Sequence, residues 1–272
     1  MQHNSFFLPS FDNQPLFVEV TQNSDQIDQY FFISHGLGGD SNSCVPLVDQ
    51  LLEAIPNSGC VTWDLRSHGL SSNRFPDKFE SVEAVSIRDL QTIIQKINPK
   101  RFYLIGHSFG GLINHQYLLE ELTPQPLQAF LIATPIDKIG INLNRKFWFS
   151  ILKKIPGRTK DKRTTQQFLS HMNGWDFDYK RVLEDIKYTG LTDWILIYLS
   201  LIGWKNQTID KSDSEKITFI YSQDDLIIPK KVMEKSLNKM TKAHRFCLSA
   251  NHHQPPLKYP QEISQIIKNS LN

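Results

Sequence analysis

The sequence predicts an α/β fold, a mostly parallel, doubly wound sheet with helices on both faces. Three observations carry this expectation. Short apolar runs alternate along the chain with longer runs of helical periodicity, the order produced when each strand is followed by a crossover helix. Several of the short runs are apolar at nearly every position, as strands covered on both faces must be. One apolar run, Phe102-Tyr-Leu-Ile-Gly-His-Ser-Phe-Gly-Gly-Leu112, passes directly into a Gly-rich turn and a helical pattern.

Taken in chain order, strands are expected at Leu16–Val20, Tyr30–Ser34, Cys60–Trp63, Arg101–Ile105, Leu127–Ala133, Lys216–Tyr221 and His244–Ser249. Helices are expected between them. Cys44–Ile55 sets Val45, Val48, Leu51, Leu52 and Ile55 at helical spacing, and Val82–Ile97 does the same with Val85, Leu90, Ile93, Ile94 and Ile97 before Pro99 stops it. Phe109–Leu122, Lys230–Met240 and Gln261–Leu271, the last opening behind Pro260, complete the set. The rhythm breaks from about Asp137 to about Asp213, a stretch without a convincing strand and rich in Trp, Phe and Lys. The expected organisation is therefore a core of residues 1–136 and 214–272, with a helical lid at 137–213 lying over the sheet.

Composition sets the outer bounds. The chain has 272 residues, 40% of them hydrophobic and 21% charged. A domain of this length buries about 75% of its unfolded surface, and the balance excludes disorder, collagen and coiled coil. Cys44, Cys60 and Cys247 form no Cys-x-x-Cys pair, which reads as a reducing compartment. No Lys or Arg precedes Arg66, so the cationic start of a secretory signal and an Arg-rich transit peptide are both missing. The longest apolar stretch, Trp194 to Trp204, has 11 residues, against about 20 for a membrane span. A soluble, cytoplasmic protein is expected.

The motif around Ser108 carries the chemistry. Gly106 and Gly110, two residues either side of Ser108, remove Cβ atoms that would clash in a tight strand-to-helix turn. Such a turn strains the serine and exposes its hydroxyl above a helix N-terminus. In this context the chain resembles the α/β-hydrolase fold superfamily, of the serine esterase, lipase and monoacylglycerol-lipase-like type. The resemblance covers nearly everything outside the lid. It implies eight strands, although seven are visible, with the lid inserted after strand 6.

The remaining site residues follow from that resemblance. The loop Phe31-Phe-Ile-Ser-His-Gly-Leu-Gly-Gly-Asp40 is similar to the family's His-Gly loop, which implies that the Leu37 and Phe109 amides form the oxyanion hole. This loop lacks the spacing and the Gly-Lys-Ser/Thr ending of nucleotide-binding loops, and His35 reads as a structural hydrogen-bonder. Ser222-Gln-Asp-Asp-Leu-Ile-Ile-Pro229 resembles the family's Gly-x-x-Asp-x-x-x-Pro loop. Aligning on Pro229 selects Asp225 as the acid, with Asp224 the alternative and Ser222 standing where Gly is usual. Ala250-Asn-His-His-Gln-Pro-Pro-Leu-Lys-Tyr-Pro260 is similar to the family's Gly-His-x-Pro ending. Pro255 and Pro260 select His253 as the general base, with His252 the alternative. No metal or organic cofactor is implied, since adjacent histidines rarely chelate one ion. Asp64-Leu-Arg-Ser-His-Gly-Leu-Ser71 resembles a family turn near the site and is assigned no catalytic role.

The lid sets the expected substrate. Phe147, Trp148 and Phe149, then Trp175 and Phe177, then the run from Trp194 favour an apolar acyl or aromatic group, so Trp148, Trp175 and Trp194 are candidate substrate contacts. Between Asp137 and Arg163, nine basic residues face two acidic ones, a net +7, leaving −5 for the rest of a chain whose total is +2. This cluster reads as a solvated surface or as a peripheral contact with an anionic membrane; nucleic acid is not expected. The expected activity is hydrolysis of a carboxylic ester through a Ser-His-Asp triad and an acyl-enzyme. A thioester or carbon–carbon bond cleaved by the same triad is the alternative, and a non-catalytic ligand-binding protein on this fold is the other. The oligomeric state is left open.

Overall fold

A computed structural model describes residues 1–73, 75, 81–136, 161–170, 179–202 and 214–271. Its eight strands are β1 (Gln2–Pro9), β2 (Pro15–Gln22), β3 (Gln29–Ser34), β4 (Ser58–Trp63), β5 (Phe102–His107), β6 (Ala129–Ile132), β7 (Ile217–Ser222) and β8 (His244–Leu248). They form one sheet in the order β1-β2-β4-β3-β5-β6-β7-β8. β2 pairs antiparallel with both β1 and β4, and every other pairing is parallel. The chain therefore has an α/β-hydrolase architecture.

The alternation of side chains along a strand explains the unbroken apolar runs. Phe31 and Ile33 of β3, Tyr103 and Ile105 of β5 and Phe130 and Ile132 of β6 all enter one buried cluster. There they meet α1 (Val45–Ala54) and α9 (Pro260–Ser270). The intervening Phe32, Leu104, Ala129 and Leu131 point to the opposite face. That face is covered by α2 (Val82–Ile97), α3 (Phe109–Leu119) and α7 (Lys230–Lys239). Each such side chain contributes roughly 1.5–3 kcal/mol on burial, so both faces of the sheet are fixed at once. The Ser81 hydroxyl caps α2 at the Ala84 amide, and the helix ends at Asn98, φ 49°, just ahead of Pro99.

Three further helices, α4 (Thr165–Ser170), α5 (Tyr179–Thr189) and α6 (Leu191–Ile202), lie between β6 and β7, and α8 (Pro255–Lys258) precedes α9. Among the described residues from 137 to 213 there is no strand. No described helix is long and apolar enough to cross a membrane.

The seven strands read from the sequence are all present, and the eighth is β1. Its sequence, Gln-His-Asn-Ser-Phe-Phe-Leu-Pro, buries only Leu8, so it carries no apolar pattern. Its strand character comes from an eight-residue antiparallel ladder with β2. β5 extends two residues beyond the expected end, to His107, which brings Ser108 directly onto the rim of the sheet.

Candidate active site

Ser108 adopts φ 49° and ψ −112°, a left-handed backbone that costs a non-glycine residue about 1–3 kcal/mol. The surrounding backbone holds it there. Its N–H donates to the Ile132 carbonyl at 2.9 Å, and its own carbonyl accepts from the Gly111 amide at 3.0 Å and the Thr134 hydroxyl at 3.2 Å. The flanking glycines permit close contact rather than flexibility. A Cβ on Gly106 would lie 2.5 Å from the Gly110 carbonyl oxygen and from the Gly111 backbone, and one on Gly110 would run into the Ser34 carbonyl. The strand-to-helix crossing thus excludes a side chain at Gly106, and the close approach of β3 excludes one at Gly110.

The Ser108 hydroxyl lies 3.1 Å from His253 Nε2, and His253 Nδ1 lies 2.8 Å from Asp225 Oδ2. The carboxylate is an acceptor only, so Nδ1–H donates to it and the Nε2 lone pair faces Ser108. The other oxygen of Asp225, Oδ1, accepts the Ile227 and Ile228 amides, each at 2.8 Å. Both histidine and carboxylate are buried, whereas Asp224 is exposed. His252 faces elsewhere: its Nδ1 accepts the Gln254 amide at 3.2 Å, and its carbonyl accepts the Ser222 hydroxyl at 2.7 Å. The serine that replaces the usual glycine thereby ties the end of β7 to the histidine loop. His107, which sequence reasoning passed over, donates Nε2–H to the His253 carbonyl at 2.7 Å. Burial, reinforced by the neighbouring His253, holds the His107 imidazole well below its ordinary range, so it stays neutral.

Gly36-Leu37-Gly38-Gly39 forms a turn closed by the Gly39 N–H on the Gly36 carbonyl at 3.0 Å. Gly38 supplies the left-handed third position at φ +77°. A Cβ on Gly36 would lie 3.3 Å from Ser108 Cβ, so the turn abuts the serine. Neither the Leu37 nor the Phe109 N–H is taken by an acceptor among the described residues. Phe109 opens α3, where first-turn amides have no partner within the helix.

His35 and His68 buttress this turn. His35 donates Nδ1–H to the Gly36 carbonyl at 2.8 Å and accepts the Leu65 amide at 3.1 Å; burial pushes its imidazole down to about 3. His68 accepts the Gly38 amide at 3.1 Å. Asp64 binds the Ser41 and Leu70 amides at 2.7 Å each. Asp64 and His68 are thus occupied in holding backbone, away from Ser108.

A small cleft opens between the turn and the segment joining β6 to β7. Its apolar lining includes Leu37, Phe168 and Leu257, beside His107, Arg163 and Arg181. Trp194 is not among the lining residues; it is half-buried on α6 and stacks on Tyr198 at 5.2 Å. Trp148 and Trp175 lie outside the described residues, as do the basic residues from 138 to 160. Two members of the basic cluster, Lys162 and Arg163, are described, and neither is a freely solvated charge. Lys162 is partly buried against Glu19 at 2.9 Å, and Arg163 is 1% exposed. Among the described residues no group of three or more His, Cys, Asp or Glu could hold a metal ion.

A sequence model for the alpha/beta hydrolase fold matches residues 30–253, and the chain belongs to that family. Over 129 residues it is 26% identical to "Putative carbamate hydrolase RutD" of Agrobacterium fabrum, a match covering 47% of each protein. The chain thus spans about half the length of that relative. Among solved structures it resembles a hydrolase from Pseudomonas aeruginosa PA01 (TM-score 0.72, 14% identity, 99% of this chain and 98% of that one). It also resembles an esterase from Exiguobacterium antarcticum (TM-score 0.70, 14% identity, 99% and 100%). At such identities the structural likeness speaks for the fold alone.

Proposed function

We propose that the protein is a serine hydrolase that cleaves a carboxylic ester with an apolar acyl or alcohol group. The observation that carries this reading is the continuous chain from the Ser108 hydroxyl through His253 to Asp225, at 3.1 and 2.8 Å. In the proposed reaction Ser108 Oγ attacks the ester carbonyl carbon while His253 Nε2 takes its proton, and Asp225 stabilises the resulting imidazolium. The oxyanion is received by the unoccupied Leu37 and Phe109 amides. Collapse of the tetrahedral intermediate breaks the ester C–O bond, and His253 protonates the departing alcohol. Water, deprotonated by the same imidazole, then hydrolyses the acyl-enzyme. No step calls for a cofactor.

The apolar preference is supported by Leu37, Phe168 and Leu257 in the cleft. The segment between β6 and β7 is read as a lid over it. A carbamate offers the same acyl carbon to the same three groups, and the curated relative's name makes it the second substrate class to test. The decisive experiment is fluorophosphonate labelling with mass mapping, run beside hydrolysis of p-nitrophenyl esters of increasing chain length. Label on Ser108 in wild type, with label and turnover both lost in Ser108→Ala, is the expected result. Label at a different serine, or full turnover by Ser108→Ala, overturns the reading.

A further inference from the structure

Arg163 lies outside the proposed triad, yet it is among the largest fully buried side chains described, and its contacts converge on the turn beside Ser108. One guanidinium arm, Nη2, donates to the Gly38 carbonyl, and Nη1 donates to Asp185 Oδ1 at 2.8 Å. The guanidinium carbon lies over the Phe168 ring, 4.1 Å from its centroid, and 5.3 Å from the centroid of the Tyr188 ring. The arginine backbone is fixed as firmly. Its N–H donates to Asp40 Oδ2 at 3.1 Å, and its carbonyl accepts the Asn42 side-chain amide at 2.6 Å. A segment between β6 and β7 is therefore clamped onto the loop after β3.

Peptide planarity connects these contacts to the reacting atoms. In a trans peptide, the C=O and the following N–H point in opposite directions. The Gly38 carbonyl that receives Arg163 shares its plane with the Gly39 N–H, which donates to the Gly36 carbonyl at 3.0 Å. The Gly36 carbonyl in turn shares its plane with the Leu37 N–H, the amide left without an acceptor among the described residues. The order is guanidinium, Gly38–Gly39 peptide, Gly36–Leu37 peptide and then the open amide. Each bond in such a chain orients and polarises the next. Asp185 closes the arrangement from the other side, since a Cβ on Gly38 would lie 2.5 Å from its carboxylate carbon.

We propose that Arg163 is a positioning residue that aims the Leu37 amide of the oxyanion hole by hydrogen-bonding through these two peptide planes. The inference rests on the serine-hydrolase reading of Ser108. It adds that an arginine from the segment between β6 and β7 completes the site.

The test is the saturation kinetics of fluorophosphonate labelling, because the phosphonyl oxygen enters the oxyanion hole and the natural substrate need not be known. Wild type, Arg163→Gln and Arg163→Lys are compared, with thermal melts of each. The maximal labelling rate of Arg163→Gln should fall ten- to hundredfold, the scale of an oxyanion donor displaced by about 1 Å, with half-saturation within twofold. A merely structural arginine would instead reduce the labelled fraction and leave the rate of the folded molecules unchanged. That outcome overturns the inference while the serine-hydrolase reading stands. Should Arg163→Gln fail to fold, Arg163→Lys decides. It keeps a charge beside Asp185 but lacks the planar fork that reaches Gly38 as well, so slower labelling supports the proposal and wild-type labelling overturns it. Wild-type protein that does not label at Ser108 overturns both readings together.

Discussion

Replacing Asp225 by Asn probes the proposed triad through a single proton. In the wild-type site, Oδ1 accepts two backbone amides at 2.8 Å each, and Oδ2 accepts His253 Nδ1–H at 2.8 Å. An asparagine can satisfy the Ile227 and Ile228 amides only with its oxygen, since those groups are donors. Its NH2 is then directed at His253, where a donor can only meet an unprotonated Nδ1. The imidazole must move its proton to Nε2, which faces Ser108 and can no longer act as a base. The same tautomer reversal in a serine protease lowers kcat about 10⁴-fold, equivalent to roughly 5.5 kcal/mol of transition-state stabilisation. We expect a fall of about that size in kcat for p-nitrophenyl butyrate at pH 7.5, in a protein that still folds. Asp224→Asn is the control: Asp224 is exposed and contacts its surroundings through its own amide to Ala250, so its rate should stay within twofold of wild type. An Asp225→Asn enzyme within tenfold of wild type, or an equal loss in Asp224→Asn, would refute the reasoning.

Two further predictions concern stability. Ser222→Ala leaves the buried His252 carbonyl without the hydroxyl now 2.7 Å away, a loss expected to cost about 1–3 kcal/mol in urea denaturation; an unchanged midpoint would contradict it. His115 on α3 is fully buried with neither ring nitrogen bonded among the described residues, and burial lowers its imidazole from 6.5 to about 4. Because the folded value lies below the unfolded one, the unfolded chain takes up the proton first. The contribution is therefore intact above pH 6.5 and lost as pH falls toward 4. His115→Leu should accordingly lose about 2 kcal/mol less than wild type between pH 7 and pH 5, and parallel stability curves would show the histidine to be uninvolved.

The proposed nucleophile was legible in the sequence because its constraint is local. Gly106, Ser108 and Gly110 lie within five residues, and the clash that demands glycine at 106 arises with the Gly110–Gly111 backbone of the same turn, whereas the one at 110 comes from the Ser34 carbonyl of β3. Asp225 and His253 were reachable through loop patterns ending in Pro229, Pro255 and Pro260, although choosing Asp225 over Asp224 required a register borrowed from relatives. His107 gave no signal of its own. Its bond to the His253 carbonyl joins residues 146 positions apart, and a histidine inside the Gly-x-Ser-x-Gly motif reads simply as filler.

The alternation of strands and helices, the two-sided burial of the central sheet and the sharp turn at Ser108 are written in the order of the residues. Each of these depends on side-chain periodicity or on contacts across a few residues. β1 and the placement of Arg163 emerge from long-range packing instead. A polar edge strand owes its conformation to a partner's backbone hydrogen bonds, which leave no mark on its own side chains. A basic residue in a charged run looks the same whether it meets water or a carbonyl. For Arg163 that carbonyl belongs to Gly38, 125 residues earlier, and chain folding alone brings the two together.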